Sequence, residues 1–173
     1  RNLSRGLGDV YKRQFGINSK SNCIINKSDS ENTLNVTYQN KIIKSTIYGD
    51  YNFENICIAI AVGEYFQVGF NDIKKGIENY LAKNNRSQIT LKKNNTIILD
   101  AYNANPTSMG LASESFKKTN YKNKMIIVGD MFELGKDSNQ YHQEITNSLE
   151  KINDSILYSV GKYFCNTNQS DRI

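Results

Sequence analysis

Asp100, Tyr102, Asn103 and Asn105 crowd into one short stretch, LDAYNANPTSMG (99–110), together with the chain's single proline, Pro106. A carboxylate accepts hydrogen bonds, a side-chain amide both donates and accepts, and a phenol offers one O–H. Thr96 to Leu99 is a β-branched run that reads as a buried strand. Asn105 is a good helix cap, and proline suits the first helical position because its missing N–H has no partner there. The stretch therefore reads strand, tight loop, helix, with its polar groups at the strand's carboxyl end. Open α/β sheets bind ligands at that end. The plainer alternative is a connecting loop rich in turn formers.

Other chemistries find less support. GDMFELG places Asp130 and Glu133 between two glycines, but nothing fixes their separation as a glycosidase pair would require. A solvated loop is the simpler reading. His142, the only histidine, falls early in a helix near Asp137 and Glu144 and reads as a surface residue. No GxSxG elbow supports a serine triad, and neither GxxxxGK[ST] nor GxGxxG is present. Cys23, Cys57 and Cys165 are scattered, with no CxxC pair. That argues for a reducing cytoplasm and against a cysteine-bound metal.

The elements that must position these residues fall in two parts. Residues 22–26, 33–38 and 41–47 read as strands, the last two as a hairpin across Gln39 and Asn40. Phe53, Ile56, Ile60 and Ala61 then repeat at helical spacing, with Gly69 just past the helix as its stop. A second helix follows, with Asn71 as cap and Ile73, Ile77 and Leu81 on its apolar face. The polar run KNNRSQ predicts a domain boundary near residue 84.

Beyond it, SQITLKK and TIILD predict a hairpin across Asn94 and Asn95. The helix from Pro106 follows, then a strand over 124–130, a helix over 139–151 and a last strand over 155–161. Asp137 and Gln140 have the spacing of a capping box, and Tyr141, Ile145, Leu149 and Ile152 line one face. Strands alternating with such helices imply right-handed βαβ units and a mainly parallel, Rossmann-like sheet. Parallel strand ends share one edge, so Asp100, Tyr102, Asn103 and Asp130 are expected to face one crevice. No helix is expected after the last strand.

The net charge of +5 invites a nucleic-acid partner, but its distribution argues against one. Residues 1–14 hold four basic residues against one acid, more than half of the excess. Elsewhere lysines alternate with acids and asparagines, without the basic, aromatic-lined face a nucleic-acid binder shows. The head reads as non-native or as a disordered arm. No apolar run approaches the length of a membrane span.

DAYNANPTSM followed by IIVGDMFELGKDSNQYH resembles the C-terminal domain of the Mur ligases. YGDYNFENICIAIA resembles the end of that family's central ATPase domain, where Gly-x-His-Asn-x-x-Asn-Ala opens a helix. NRSQ resembles the Gly-Arg-x-Gln that starts the C-terminal domain. The resemblance covers roughly residues 15–165. It implies a head (1–14), the end of a central ATPase domain (15–84) and a truncated C-terminal domain (85–173).

The resemblance also implies a cytoplasmic, ATP-dependent amide ligase of peptidoglycan synthesis, acting as a monomer. Its substrates would be UDP-N-acetylmuramoyl-tripeptide and D-alanyl-D-alanine, its cofactors ATP and Mg2+. Asn52 and Asn55 match two asparagines near adenine, Arg86 an arginine that reaches ATP phosphate, and Asp100 an aspartate near the ribose. Tyr102, Asn103 and Asn105 would face the incoming dipeptide.

Tyr51 stands where most relatives carry His, which weakens any role for that ring; Asp50, Asn85, Leu99 and Ala101 depart as well. The phosphate loop, the modified lysine, the magnesium-binding acid and the UDP-binding domain lie upstream of residue 1 in the family. The chain is therefore expected to be a fragment with no complete catalytic set and no metal ligand. The alternative from another class is a non-catalytic nucleotide- or metabolite-binding module on a Rossmann-like sheet.

Overall fold

A computed structural model describes residues 14–168, apart from 19 and 31. The basic head expected over residues 1–14 lies outside the described residues, save for Gln14.

A four-stranded sheet opens the chain, in the order β1 (Phe15–Gly16), β2 (Cys23–Ser28), β3 (Asn35–Tyr38), β4 (Lys41–Lys44). The pair β1–β2 is parallel and the others are antiparallel. The expected hairpin is present: Tyr38 pairs with Lys41, and Gln39 and Asn40 carry φ of 50° and 57°. That left-handed pair matches the right-handed twist of the strands it joins. Cys23, Ile25, Val36, Tyr38 and Ile43 alternate inward and are buried. They meet Ile56, Cys57 and Ile60 of α1 (Phe53–Tyr65) and Ile73 and Ile77 of α2 (Phe70–Glu78). Burial pushes the Cys57 thiol up to about 11 and the Cys23 thiol up to about 12, so both stay as inert packing groups.

Three details of this half differ from expectation. α1 ends at Tyr65, and Gln67 just past it takes the left-handed conformation with φ 58°. Gly69 is instead the N-cap of α2, so Asn71 lies inside that helix. Leu81 falls beyond the helix end and is exposed.

The second half has its own core. β5 (Gln88–Lys92) and β6 (Asn95–Leu99) form a hairpin, and β7 (Lys124–Gly129) pairs in parallel with β8 (Ser155–Val160). Its turn is Lys93–Asn94, one residue earlier than expected, because Lys92 pairs with Asn95. The α/β class and the right-ordered strand–helix–strand unit hold. The expected single sheet is instead two separate two-stranded ladders among the described residues. α3 (Pro106–Lys117) and α4 (Ser138–Leu149) pack over the inner face of β7 and β8. Ile126, Val128, Met131, Ile145, Leu149, Ile152 and Phe164 form the core there. Asp137 does occupy the N-cap of α4, but its side chain makes no capping bond.

A short helix, α5 (Lys162–Cys165), does follow β8. Its first N–H groups are captured by Asp130: the carboxylate accepts from Tyr163 N–H at 3.1 Å and from Phe164 N–H at 2.9 Å. Gly161, with φ 111°, makes this possible, since a Cβ there would lie 2.4 Å from the Asp130 carboxyl carbon. Burial pushes the Asp130 carboxyl up. The N–H groups of Phe164 and Tyr163 outweigh it and hold the group below its ordinary value.

A carboxylate with a depressed folded-state value adds stability above its unfolded value, which is lost as pH falls through the folded one. Asp130→Asn is therefore expected to lower the Tm at pH 7, with the gap to wild type closing below about pH 4. Thermal melts between pH 7 and pH 3 check this. A gap that stays constant would detach Asp130 from the α5 N-terminus.

Candidate functional site

Asn52 ends a short 3-10 turn (Asp50–Asn52) that feeds directly into α1, and Asn55 lies in the first turn of that helix. The helical spacing of three places both amides on one side, and Asn55 Nδ2 donates to Asn52 Oδ1 at 2.9 Å. Asn52 Nδ2 in turn donates to Tyr48 O at 2.8 Å and to Ser87 Oγ at 3.0 Å. The second bond crosses from the first half of the chain to the second.

Arg86 sits in the joint between the halves. Asn84, Asn85 and Ser87 around it have φ of 58°, 57° and 47°, a run of left-handed residues that is uncommon outside glycine. Strain of this kind persists only where surrounding contacts hold it. Ala101 N–H donates to Asn85 O at 2.8 Å and ties the joint to the end of β6. The Arg86 guanidinium then lies over the Tyr102 ring, 3.5 Å from its centroid. Stacking of this type holds the guanidinium plane while leaving its edge N–H groups free to bond.

Asp100 follows β6 and meets the first half directly. Its Oδ2 accepts from the Tyr51 hydroxyl at 2.7 Å and its Oδ1 from Ser87 N–H at 2.9 Å. Burial first, and then the Asp100 charge, push the Tyr51 phenol well above its ordinary value. Tyr51 thus stays a protonated donor at any physiological pH. Two cavities open beside this bridge. One of about 330 Å3 is lined by Tyr51, Arg86, Asp100, Tyr102, Asn103 and Asn105, among others. Its larger neighbour, about 640 Å3, shares Asn52, Arg86 and Ser87 with it, and includes Asn55 and an apolar wall from α1 and α2.

Six of the residues expected at the site, Asn52, Arg86, Asp100, Tyr102, Asn103 and Asn105, therefore border one cleft, and Asn55 adjoins it. Two expectations are corrected. Asp130 is not in this crevice, because β7 and β8 form their own ladder and the carboxylate is spent on α5. His142 is not a surface residue but fully buried. Its Nε2 accepts from Met131 N–H at 3.0 Å, and its Nδ1–H donates to Ser138 O at 2.6 Å. With Phe164 at 4.6 Å between ring centroids, it is a packed core group that pins the GDMFELG loop.

Asn105 proves a structural residue at its oxygen: Oδ1 accepts from Ser108 N–H at 2.9 Å, while Ser108 Oγ accepts from Asn105 N–H. That is a reciprocal capping box, with Pro106 in the first turn. Sequence reasoning missed Ser87 altogether and discounted Tyr51. The only available signal was their adjacency to Arg86 and Asn52. Among the described residues, no group of three or more His, Cys, Asp or Glu stands close enough to hold a metal.

The α/β unit thus presents two amides, an arginine and a carboxylate around one open cleft. Residues 85–170 match the family described as Mur ligase, glutamate ligase domain, and the chain belongs to the Mur ligase family. It is 37% identical over 118 residues to the UDP-N-acetylmuramoyl-tripeptide–D-alanyl-D-alanine ligase of Bacillus subtilis (strain 168), covering 67% of this chain and 26% of that one. The ligase of the same name from Rickettsia prowazekii (strain Madrid E) is 29% identical over 172 residues, covering 94% of this chain and 36% of that one. The crystal structure of MurF from Acinetobacter baumannii superposes with a TM-score of 0.70 at 25% identity, over 86% of this chain and 33% of that one. The chain thus spans about a quarter to a third of the length of such relatives.

Asn103 and Asn105 should separate cleanly. Losing the Asn105 cap is expected to cost about 1 kcal/mol of stability. Asn103 lines the smaller cavity without such a bond, so Asn103→Ala should stay within about 0.5 kcal/mol. Urea melts of both variants check this, and equal losses would make Asn103 a second structural residue.

Proposed function

We propose that the chain is part of an ATP-dependent amide ligase of peptidoglycan synthesis, and so serves cell shape and division. It adds D-alanyl-D-alanine to UDP-N-acetylmuramoyl-tripeptide. The observation that carries this reading is the cleft itself. Two linked amides (Asn52, Asn55), a stacked arginine (Arg86) and a fixed carboxylate (Asp100) border it, in a chain of the Mur ligase family. The names of the curated relatives supply the substrates.

In the proposed reaction the tripeptide carboxylate takes the terminal phosphoryl group of ATP, giving an acyl phosphate and ADP. The amine of D-alanyl-D-alanine then attacks the acyl carbon, and phosphate leaves. This chain's residues position the reactants and meet developing charge. Asn52 and Asn55 offer donors and acceptors to the purine edge. Asp100 accepts from ribose hydroxyls with the lone pairs that Tyr51 and Ser87 leave open. Arg86 faces phosphate with the edge N–H groups that its stacking on Tyr102 keeps exposed. Tyr102, Asn103 and the Asn105 amide nitrogen line the side from which the dipeptide arrives.

We place the boundary between a central ATPase portion (15–84) and the C-terminal domain (85–173) at the strained joint, with the cleft across it. The phosphate cradle and magnesium ligands belong to a longer protein that carries this segment. A cytoplasmic, monomeric enzyme fits the isolated, unpaired cysteines Cys23, Cys57 and Cys165 and a UDP-linked substrate. No described helix is long and apolar enough to cross a membrane.

The 173-residue chain by itself is expected to show no ATP-dependent ligation, measured as phosphate release with both substrates. Turnover by the chain alone would contradict the division of labour proposed here. In the longer protein, Arg86→Ala should lower kcat/KM about a hundredfold, the usual effect of losing one charged contact to transition-state charge. Arg86→Lys should recover only part, since lysine lacks the planar fork. Wild-type kinetics in Arg86→Ala would reduce Arg86 to a linker residue.

A further inference from the structure

We infer that Tyr51 and Ser87 are positioning residues: from opposite sides of the joint they fix the Asp100 carboxylate and tie it to the Asn52 amide. The inference deepens the proposed function and rests on its placing of Asp100 beside the nucleotide.

Asp100 is exposed, and an exposed aspartate otherwise samples several rotamers. Here each oxygen has a donor of its own, the Tyr51 hydroxyl at 2.7 Å on Oδ2 and Ser87 N–H at 2.9 Å on Oδ1. Two donors in fixed positions set the rotation of the carboxylate plane. A carboxylate has about four acceptor sites, so further lone pairs stay open toward the cleft. Ser87 is the hinge of the arrangement. Its N–H holds Asp100, and its Oγ accepts from Asn52 Nδ2 at 3.0 Å and lies 3.0 Å from the Tyr51 hydroxyl. Asn55, Asn52, Ser87 and Asp100 are thereby joined in one hydrogen-bonded chain.

Both residues occupy built seats. Ser87 is buried and held at φ 47°, a conformation serine adopts only under constraint. The Tyr51 ring lies against Gly49, whose φ is 87° and where a Cβ would meet the ring at 2.3 Å. Only glycine leaves space for that ring. The phenol reaches Asp100 without titrating in the physiological range, because burial holds its proton.

The test uses the full-length protein carrying this segment, with kcat and separate KM values for ATP and for D-alanyl-D-alanine. Tyr51→Phe removes one hydrogen bond to a charged group and is expected to raise the KM for ATP about tenfold. The kcat and the dipeptide KM should stay within about twofold. Ser87→Ala keeps the N–H and loses only the hydroxyl, so about a threefold rise is expected. The double variant Tyr51→Phe/Asp100→Asn should be no worse than Asp100→Asn alone, since both act through one contact. If Asp100→Asn raises the KM for ATP while Tyr51→Phe and Ser87→Ala do not, the inference falls and the nucleotide reading stands. Multiplying effects in the double variant would overturn it in the same way. A silent Asp100→Asn would remove the nucleotide reading itself, and the inference with it.

Discussion

The Asp100 carboxylate, bonded from both halves of the chain at once, is the contact on which the cleft depends. Asp100 is contributed by the end of β6, Tyr51 by the turn before α1, and Ser87 by the joint between them. Without that bridge, the side-chain links between these surfaces would include the Asn52–Ser87 bond, the contact of the Tyr51 hydroxyl with Ser87 Oγ, and the exposed ion pair of Lys118 with Asp50 at 3.4 Å. An exposed pair of that length contributes little. The strain of three left-handed residues around Arg86 persists because this polar network and the β5–β6 hairpin hold the joint from both sides.

Two cores carry the rest, and they do so differently. The first is a sheet covered on one face by α1 and α2, with its inward aliphatic residues buried almost completely while Ile24 and Ile42 on the other face stay exposed. The second rests on only two parallel strands, and their outer face leaves Met125, Ile127, Ile156, Tyr158 and Val160 exposed. Parallel strands are usually covered on both faces. The polar pins therefore matter more in this half. Asp130 on the α5 N-terminus and His142 between Ser138 O and Met131 N–H fix loops that apolar contact alone would leave loose.

Local order was legible in the sequence, and its long-range consequences were not. The Gln39–Asn40 hairpin, the α1 face of Ile56 and Ile60, and the Asn105–Pro106 helix start all rest on contacts within a few residues, and all three hold. The gathering of Asn52, Arg86 and Asp100 at one cleft was legible only through family resemblance, since residues far apart in the chain leave no periodic trace. His142 misled because a histidine near two acids in a helix looks solvent-facing. Its burial is decided by Phe164 and Met131, which arrive from other elements. Asp130 misled because one sheet edge was assumed where two ladders form. Gln67 rather than Gly69 is the left-handed residue just past α1, where Gln67 N–H bonded to Glu64 O and Val68 N–H bonded to Gly63 O close the helix end without glycine.

A crystal structure of the full-length protein with ADP bound is the most direct measurement. The proposed arrangement places the purine edge on the Asn52 and Asn55 amides, a ribose hydroxyl within hydrogen-bond distance of Asp100 while Tyr51 keeps its own bond to that carboxylate, and phosphate toward the Arg86 edge. Nucleotide bound elsewhere, or a purine that leaves Asn52, Asn55 and Asp100 untouched, would contradict it.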